Sequence, residues 1–272
     1  MKKMANFYCA LALFALSTSA YAANPGEGKW VADEVFRASN SSASTGLVHM
    51  NSAYTIRDGE MSINLGFASE TDSGSGTDYI HVPLAITYGI TDKTEFGLTA
   101  KYINASAGPS GMAGGEAKMK WRFRNQSEYL PAMSLAFSLM FPAGDAALNE
   151  VSSWGARLNF LMASEAQITD NSYIGMYVDV GATSINDSAT GPDDYLNADF
   201  GLLFPISDDK RLQLMLEFNS ISGRTNTYLG TGDYNAITPG LRYASEGFKL
   251  TLGAQSRDVN GTKLIGTIGW EF

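Results

Sequence analysis

The sequence predicts an all-β fold, a closed antiparallel barrel of about twelve strands connected as an up-and-down meander. Three observations lead to this prediction: an N-terminal segment typical of export, alternating segments through most of the chain, and a last strand that ends on Phe272. The alternation of apolar and polar residues has the period of two that a strand with two different faces requires. In a membrane every backbone group must be paired, so a sheet that crosses one has to close on itself.

The first residues resemble a signal peptide. Lys2 and Lys3 precede an apolar run at positions 5–16, and Ala20-Tyr21-Ala22 fits the pattern that signal peptidase cuts. The run is shorter than the roughly 20 residues that a spanning helix needs. We therefore expect a cleaved signal peptide at residues 1–22.

Composition excludes several classes of function. Cys9 is the only cysteine and lies in the predicted signal, so disulfides, thiolate metal sites and a cysteine nucleophile are excluded. Without Lys2 and Lys3 the chain has 17 basic residues against 28 acidic ones. That balance argues against nucleic acid as a partner, because phosphates attract a basic face.

Residues 23–58 differ from the rest of the chain. Positions 30–38 are compatible with a short helix, 40–45 form a Ser/Asn-rich loop, and 47–55 alternate weakly. A thirteenth strand would break the even strand number of bacterial barrels. We expect a periplasmic arm or a partial plug tucked into the lumen, and the arm is favoured.

Residues 59–272 are predicted to form the barrel. Short turns rich in Asp, Asn, Ser and Gly alternate with longer polar connections, as in outer-membrane barrels with periplasmic turns and external loops. Pro83 and Pro239 fall inside predicted strands, where each removes a ladder donor and suggests a bulge. The predicted strands are 60–69, 78–90, 94–104, 115–124, 130–141, 152–166, 172–183, 194–205, 211–221, 233–244, 248–256 and 262–272.

Aromatic residues distinguish this barrel from a soluble β-sandwich, which also alternates. On the apolar face they fall at the strand ends, as the two aromatic girdles of a membrane barrel do. The predicted periplasmic girdle is Tyr88, Phe96, Phe204, Tyr243, Phe248 and Phe272, and the outer girdle is Phe67, Tyr102, Phe141 and Trp154.

The opposite face of the strands predicts a charged lumen. These side chains either form a salt-bridged plug, since buried charges need partners, or a polar constriction whose basic strip at 116–124 favours anionic solutes. A twelve-stranded barrel lies between filled and wide ones, so a narrow or gated pore is expected. The predicted pore-lining residues are Lys101, Glu116, Lys118, Lys120, Arg122, Arg124, Arg157, Asp179, Asp199, Arg211, Glu217, Arg242 and Lys249.

Three segments resemble the outer-membrane transporter family named for the meta pathway of phenol degradation. They are Val82-Pro83-Leu84-Ala85-Ile86-Thr87-Tyr88-Gly89-Ile90-Thr91-Asp92-Lys93-Thr94-Glu95-Phe96-Gly97-Leu98, Gly114-Gly115-Glu116-Ala117-Lys118-Met119-Lys120-Trp121-Arg122-Phe123 and Phe141-Pro142-Ala143-Gly144-Asp145. The resemblance covers residues 59–145 well. It departs from the family pattern at Gly-Gly-Glu, where Gly-Asp is usual, and at Phe-Pro-Ala-Gly, where Leu-Pro-Thr-Gly is usual. It implies an outer-membrane protein that passes small, including aromatic, organic molecules. The C-terminal Trp270-Glu271-Phe272 is similar to the signal read by the barrel assembly machinery.

Catalytic and metal chemistry are not predicted. Only His49 and His81 are available as general bases; Asp78 lies near His81 in sequence, and no Gly-x-Ser-x-Gly occurs. The acidic loops at 72–78 and 186–194 have oxygen ligands for a divalent ion bridging to lipopolysaccharide, but they match no EF-hand spacing. We expect no enzyme activity, cofactor or metal.

The expected function is an outer-membrane channel that passes small polar or aromatic solutes through a narrow charged lumen. Its expected partners are outer-membrane lipid, lipopolysaccharide, the assembly machinery and the solute. The alternatives are a non-conducting structural or ligand-binding barrel and, less favoured, an outer-membrane hydrolase.

Overall fold

A computed structural model describes residues 39–272, apart from 73–74, 128–129, 150, 152, 170–171, 188–190, 208, 224–232, 246 and 259–260. The predicted signal peptide, its cleavage site and the possible helix at 30–38 lie outside the described residues, as do parts of the acidic loops. In the described part of the chain, no helix has the length and apolar character needed to cross a membrane.

Twelve antiparallel strands form a closed barrel in which each strand pairs with its neighbours in sequence, and β1 pairs with β12. The predicted fold class is confirmed. The strands are β1 Met61–Thr71, β2 Asp78–Thr91, β3 Thr94–Ala105, β4 Gly111–Arg124, β5 Ala132–Gly144, β6 Gly155–Thr169, β7 Ser172–Asp187, β8 Gly191–Pro205, β9 Leu212–Ser222, β10 Tyr234–Ser245, β11 Phe248–Arg257 and β12 Thr262–Glu271.

The barrel has two ends with different connections. We call the turn end the rim where β1 begins, β12 ends and the short turns lie, and the loop end the opposite rim. At the turn end the seam between the first and last strands is closed by reciprocal backbone hydrogen bonds between Met61 and Phe272, of 3.1 and 2.9 Å.

The predicted strands agree with the observed ones to within three residues at the turn end, and the larger differences lie near the loop end. β4 starts at Gly111 rather than 115. Its register with the neighbouring strands shifts around Gly114, whose φ is +90°. β7 and β8 extend through most of the predicted loop at 185–193, up to the pair Asp187↔Gly191. Strand segments that lie outside the lipid need no apolar face. The alternation of apolar and polar residues is therefore absent there, and the sequence pattern does not predict these segments.

The two prolines lie inside strands as predicted, but the expected bulges are wrong. Pro83 pairs with Lys101 of β3, and Pro239 pairs with Leu216 of β9. On the other side of each proline the pairing is interrupted without a change of register. A missing N–H removes a bond toward only one neighbour, so one ladder can continue undisturbed.

The outer surface is apolar around the barrel. Large hydrophobic side chains alternate outward along the strands, and most residues of the two predicted aromatic girdles are exposed. Their inward neighbours are polar or charged, such as Glu95 of β3 and Lys120 of β4. This arrangement is the inverse of a water-soluble barrel, and it is the one that a hydrocarbon environment requires.

Candidate functional site: the lumen and its plug

Most of the predicted pore-lining residues point into the barrel. Lys118, Lys120, Arg122, Asp179, Glu217, Arg242 and Lys249 are buried, and Lys101, Glu116, Arg124, Arg157 and Asp199 are partly buried. Arg211 lies elsewhere: it precedes β9 in a turn, is half-exposed and forms an ion pair with Asp209 at 3.4 Å. The alternation rule places it inward, but a residue outside the strands is not held to that rule.

Residues 39–57, which we call the lumen plug, lie inside the barrel. Most of them are buried. Two isolated bridges, Ser39↔Thr45 and Gly46↔Asn51, fold the segment back on itself. It contacts the barrel at the turn end, where the hydroxyls of Ser39 and Ser62 are hydrogen-bonded. Within residues 23–58, the part that the structure describes therefore lies inside the barrel.

Glu95 of β3 is the main anchor of the plug. Its carboxylate accepts hydrogen bonds from the hydroxyls of Ser44 and Thr45, at 2.8 and 2.6 Å. It also accepts from the backbone N–H groups of Thr45 and Ile56, at 3.0 and 2.9 Å. The Nζ of Lys120 lies 2.8 Å away, and both side chains of this ion pair are almost completely buried. The carboxylate therefore ties together two distant parts of the plug.

Two further carboxylates bind the inner turn of the plug. Glu217 of β9 accepts from the backbone N–H groups of Val48 and His49, at 2.6 and 3.1 Å. Asp179 of β7 accepts from the backbone and side-chain amides of Asn51, at 3.3 and 3.0 Å. Charged acceptors of this kind form stronger hydrogen bonds than neutral ones.

Cations of the lumen bind the carbonyl groups of the same segment. Lys120 donates to the carbonyls of Thr45 and Ser52, at 3.3 and 3.0 Å. Arg242 of β10 donates to the carbonyls of Gly46 and Leu47, both at 3.0 Å. Lys118 donates to the carbonyl of Ser42 at 2.9 Å. The predicted basic strip thus binds a peptide segment. Barrel carboxylates accept hydrogen bonds from N–H groups of the plug backbone, and barrel cations donate to its carbonyl groups.

An apolar cluster completes the contact. Plug residues Leu47, Val48, Met50 and others pack with inward-facing apolar residues of the barrel, which include Leu161, Leu203 and Met215. Sequence reasoning assigned the inward face only polar roles and so missed this cluster. The sequence feature that could have predicted the cluster is the presence of apolar residues at inward positions of β6, β8 and β9, because an open aqueous lumen would not need them.

Inward-facing glycines leave room for the plug backbone. A Cβ atom added at Gly97 of β3 would lie 2.0 Å from the carbonyl oxygen of Ala43, and one at Gly89 would lie 1.8 Å from that of Arg57. Real Cβ atoms do not approach this closely, so only glycine fits at these positions while the plug is in place.

A second feature of the lumen is a cavity of about 340 Å³ on the loop side of the plug, which we call the vestibule. Plug residues His49 and Asn51 contribute to its lining. Burial, with Lys263 and Arg257 nearby, lowers the pKa of His49 to about 3, so this imidazole is neutral. The barrel contributes Glu70, His81, Lys101, Arg257 and Lys263 from one side and Asn159, Asp179, Asn197, Asp199 and Asn219 from the other.

His81 belongs to an ion cluster rather than to a pair with Asp78. Its Nε2 lies 2.7 Å from Glu70, whose carboxylate also accepts from Arg257 at 2.7 Å. The carboxylate of Asp78 instead accepts from Thr71. The nearness of Asp78 to His81 in sequence therefore gives no contact between their side chains, because His81 pairs with Glu70 of β1.

In the described part of the chain no three His, Cys, Asp or Glu residues are grouped so that they could hold a metal ion. In the 72–78 loop, the carboxylate of Asp72 accepts from the N–H and hydroxyl of Ser75, at 3.2 and 2.6 Å. These bonds are those of an ordinary polar turn.

Comparisons with known proteins agree with this architecture. No protein-family model and no curated protein matches the sequence. Among solved structures, an outer membrane channel from Pseudomonas putida F1 matches with a TM-score of 0.60 and 13% identity, covering 83% of this chain and 100% of that chain. The KdgM porin matches with a TM-score of 0.51 and 11% identity over 78% of this chain and 99% of its own. The NanC porin matches with a TM-score of 0.52 and 9% identity over 77% and 97%. The chain therefore has the fold of outer-membrane channels and porins.

Proposed function

We propose that the protein is an outer-membrane channel that passes small polar or aromatic organic solutes, and that the lumen plug gates it. The main observation that supports this proposal is a charged lumen inside an apolar outer surface. Residues 39–57 fill this lumen toward the turn end. Membership of the phenol meta-pathway transporter family is part of this proposal, and so is export by a cleaved signal peptide. Contact with lipopolysaccharide and assembly by the barrel machinery belong to it as well.

The plug determines how such a channel conducts. Its hydrogen bonds to Glu95 and Glu217 are made by plug backbone N–H groups and, at Glu95, also by the hydroxyls of Ser44 and Thr45. None of them belongs to the strand ladders, so a shift of the segment exposes these carboxylates to the pore rather than breaking the barrel wall. A seated plug allows only narrow passage, and a displaced plug widens the lumen. Buried hydrogen bonds to charged groups contribute about 1.5–3 kcal/mol each, so displacement is an infrequent event in the intact protein.

The first test is conductance of the purified, refolded protein in a planar bilayer. We expect small discrete steps for the intact chain, and larger or more frequent steps for the double variant Glu95→Gln and Glu217→Gln. Asp209→Asn is the matched control, because its carboxylate is exposed in a turn and pairs with Arg211 at 3.4 Å, outside the lumen. Steps of the control should equal those of the intact protein.

A bilayer that stays silent for all three proteins would overturn the channel proposal. It would favour the second candidate, a non-conducting barrel that binds a ligand, which the filled lumen also supports. Equal conductance of the intact protein and the double variant would leave a channel but remove the plug as its gate.

A further inference from the structure

The two sides of the vestibule carry opposite charge. Glu70 and His81 lie on β1 and β2, whereas Asp179 and Asp199 lie on β7 and β8. In a closed ring of twelve strands, β7 and β8 are six strands away from β1 and β2, so the two sides face each other across the lumen. We call them the basic wall and the acidic wall.

The basic wall has an excess of positive charge. Its one carboxylate, Glu70, lies 2.7 Å from Arg257 and 3.6 Å from Lys263, and it also binds His81. Lys101 lines the same side of the vestibule. One anion thus faces three cations, and all of these side chains lie near the loop end.

The acidic wall has two carboxylates bound by amides. Asp179 accepts from Asn197 at 3.4 Å and from Asn159, and Asp199 accepts from Asn197 and Asn219 at 3.4 and 3.3 Å. Among the described residues, neither aspartate forms an ion pair. Arg157, the cation on this side, donates to the hydroxyls of Thr183 and Tyr195, at 3.0 and 3.4 Å.

Three polar atoms on residues that line the vestibule have no hydrogen-bond partner within the described chain. They are Nε2 of His49, Oδ1 of Asn197 and Nε of Arg257, and all three are buried. The side chain of Arg257 is only 4% exposed. Unsatisfied buried polar atoms are rare in folded proteins. Others occur elsewhere in the described barrel, and these three belong to residues that line the vestibule, where a bound molecule can supply the missing partners.

We propose that the vestibule binds a small zwitterion, an amino carboxylate, with its carboxylate toward Arg257 and Lys263 and its ammonium group toward Asp179 and Asp199. This inference rests on the proposed function and names the class of solute that enters the channel. A solute with charge of one sign is attracted by one wall and repelled by the other, whereas a zwitterion is attracted by both. Asp179 also binds Asn51, so the ammonium group is placed next to the plug.

Binding is tested by calorimetry on the full-length refolded protein in detergent micelles, with three matched probes. They are 5-aminopentanoate, pentanoate and pentylammonium, which share one carbon chain and differ in their charged ends. We expect saturable binding of 5-aminopentanoate that is at least about tenfold tighter than that of either singly charged probe, since each lacks one charge-assisted hydrogen bond.

Two variants separate the walls. Asp199→Asn should weaken 5-aminopentanoate by about tenfold and bind pentanoate at least as tightly as the intact protein does, because the charge that repels this anion is lost. Lys263→Gln should weaken both carboxylate-bearing probes. Among the described residues, neither Asp199 nor Lys263 is hydrogen-bonded to the plug, so both variants keep its anchors. Asp209→Asn removes an exposed carboxylate in a turn and is the control that should bind like the intact protein.

The calorimetric result tests solute binding independently of channel function, because binding in micelles does not depend on transport across a membrane. No saturable binding of any probe would overturn it and leave the vestibule filled by water. Equal affinity for 5-aminopentanoate and one singly charged probe would also overturn it, since only one wall would then act. Conducting protein with no binding refutes this inference alone, and binding without conductance refutes the channel alone.

Discussion

At the scale of single residues, charged side chains of the lumen bind polar groups of the plug, many of which are backbone N–H and carbonyl groups. Glu95 illustrates this: one buried carboxylate accepts from two N–H groups, two hydroxyls and Lys120. The alternation along β3 points Glu95 into the barrel, but the plug N–H groups that it binds are 39 and 50 residues away in sequence. Which group meets a buried charge depends on the path of the chain, and a local pattern contains no information about that path.

Gly97→Ala tests the close approach between β3 and the plug. The added Cβ would lie 2.0 Å from the carbonyl oxygen of Ala43, so the plug backbone must move. We expect weaker docking by roughly 1–3 kcal/mol, the usual cost of overpacking, and faster proteinase K cleavage within residues 39–57, followed by mass spectrometry.

The control for this prediction is Gly111→Ala. Its new Cβ would lie 3.9 Å from the nearest atom, a side-chain carbon of Leu148, which is an ordinary contact. Cleavage of Gly111→Ala should proceed at the rate of the intact protein. If Gly97→Ala were equally resistant, the plug would not pass next to β3 as described.

At the scale of elements, β4 provides much of the cationic attachment for the plug. Lys118 and Lys120 both donate to plug carbonyls, whereas Arg122 donates to the carbonyl of Asp92 in the β2–β3 turn. The basic strip at 116–124 was predicted from sequence as a constriction or a salt-bridged plug. We therefore expect that charge reversal of these residues changes mainly the docking of the plug, and the ion preference of the channel less.

The double variant Lys118→Met and Lys120→Met separates these effects. It removes the cation that compensates buried Glu95, and breaking a buried pair in this way costs about 3–5 kcal/mol. We expect a displaced plug and larger conductance steps in a planar bilayer. Arg211→Met, which removes an exposed cation of a turn, should leave the steps unchanged. Unaltered steps in the double variant would show that β4 does not hold the plug.

At the scale of the whole molecule, stability in a membrane depends on the apolar surface around the closed sheet. Leu139 is outward-facing near the middle of β5, with 47% of its surface exposed, and Leu130 is similarly exposed in the turn that precedes this strand. These two leucines allow the membrane location to be tested within one hairpin.

Leu139→Lys should destabilise the barrel in lipid by about 2–4 kcal/mol, and Leu130→Lys by about 0–1 kcal/mol, because the cost of a charge rises toward the bilayer centre. Equilibrium unfolding by denaturant in lipid vesicles measures both values. Equal costs for the two variants, or solubility of the intact protein as a monomer without detergent, would contradict a membrane-spanning barrel.

The sequence alone determined the architecture, because the period of two, the short turns and the aromatic strand ends are local features that repeat along the chain. It also placed Glu217, Arg242 and most of the other predicted charges on the inward face, but it misplaced Arg211, which lies in an exposed turn. Only the tertiary structure decided that residues 39–57 fill the lumen and that Glu70, rather than Asp78, pairs with His81. Both facts result from contacts between segments far apart in sequence, which exist only once the sheet has closed around them.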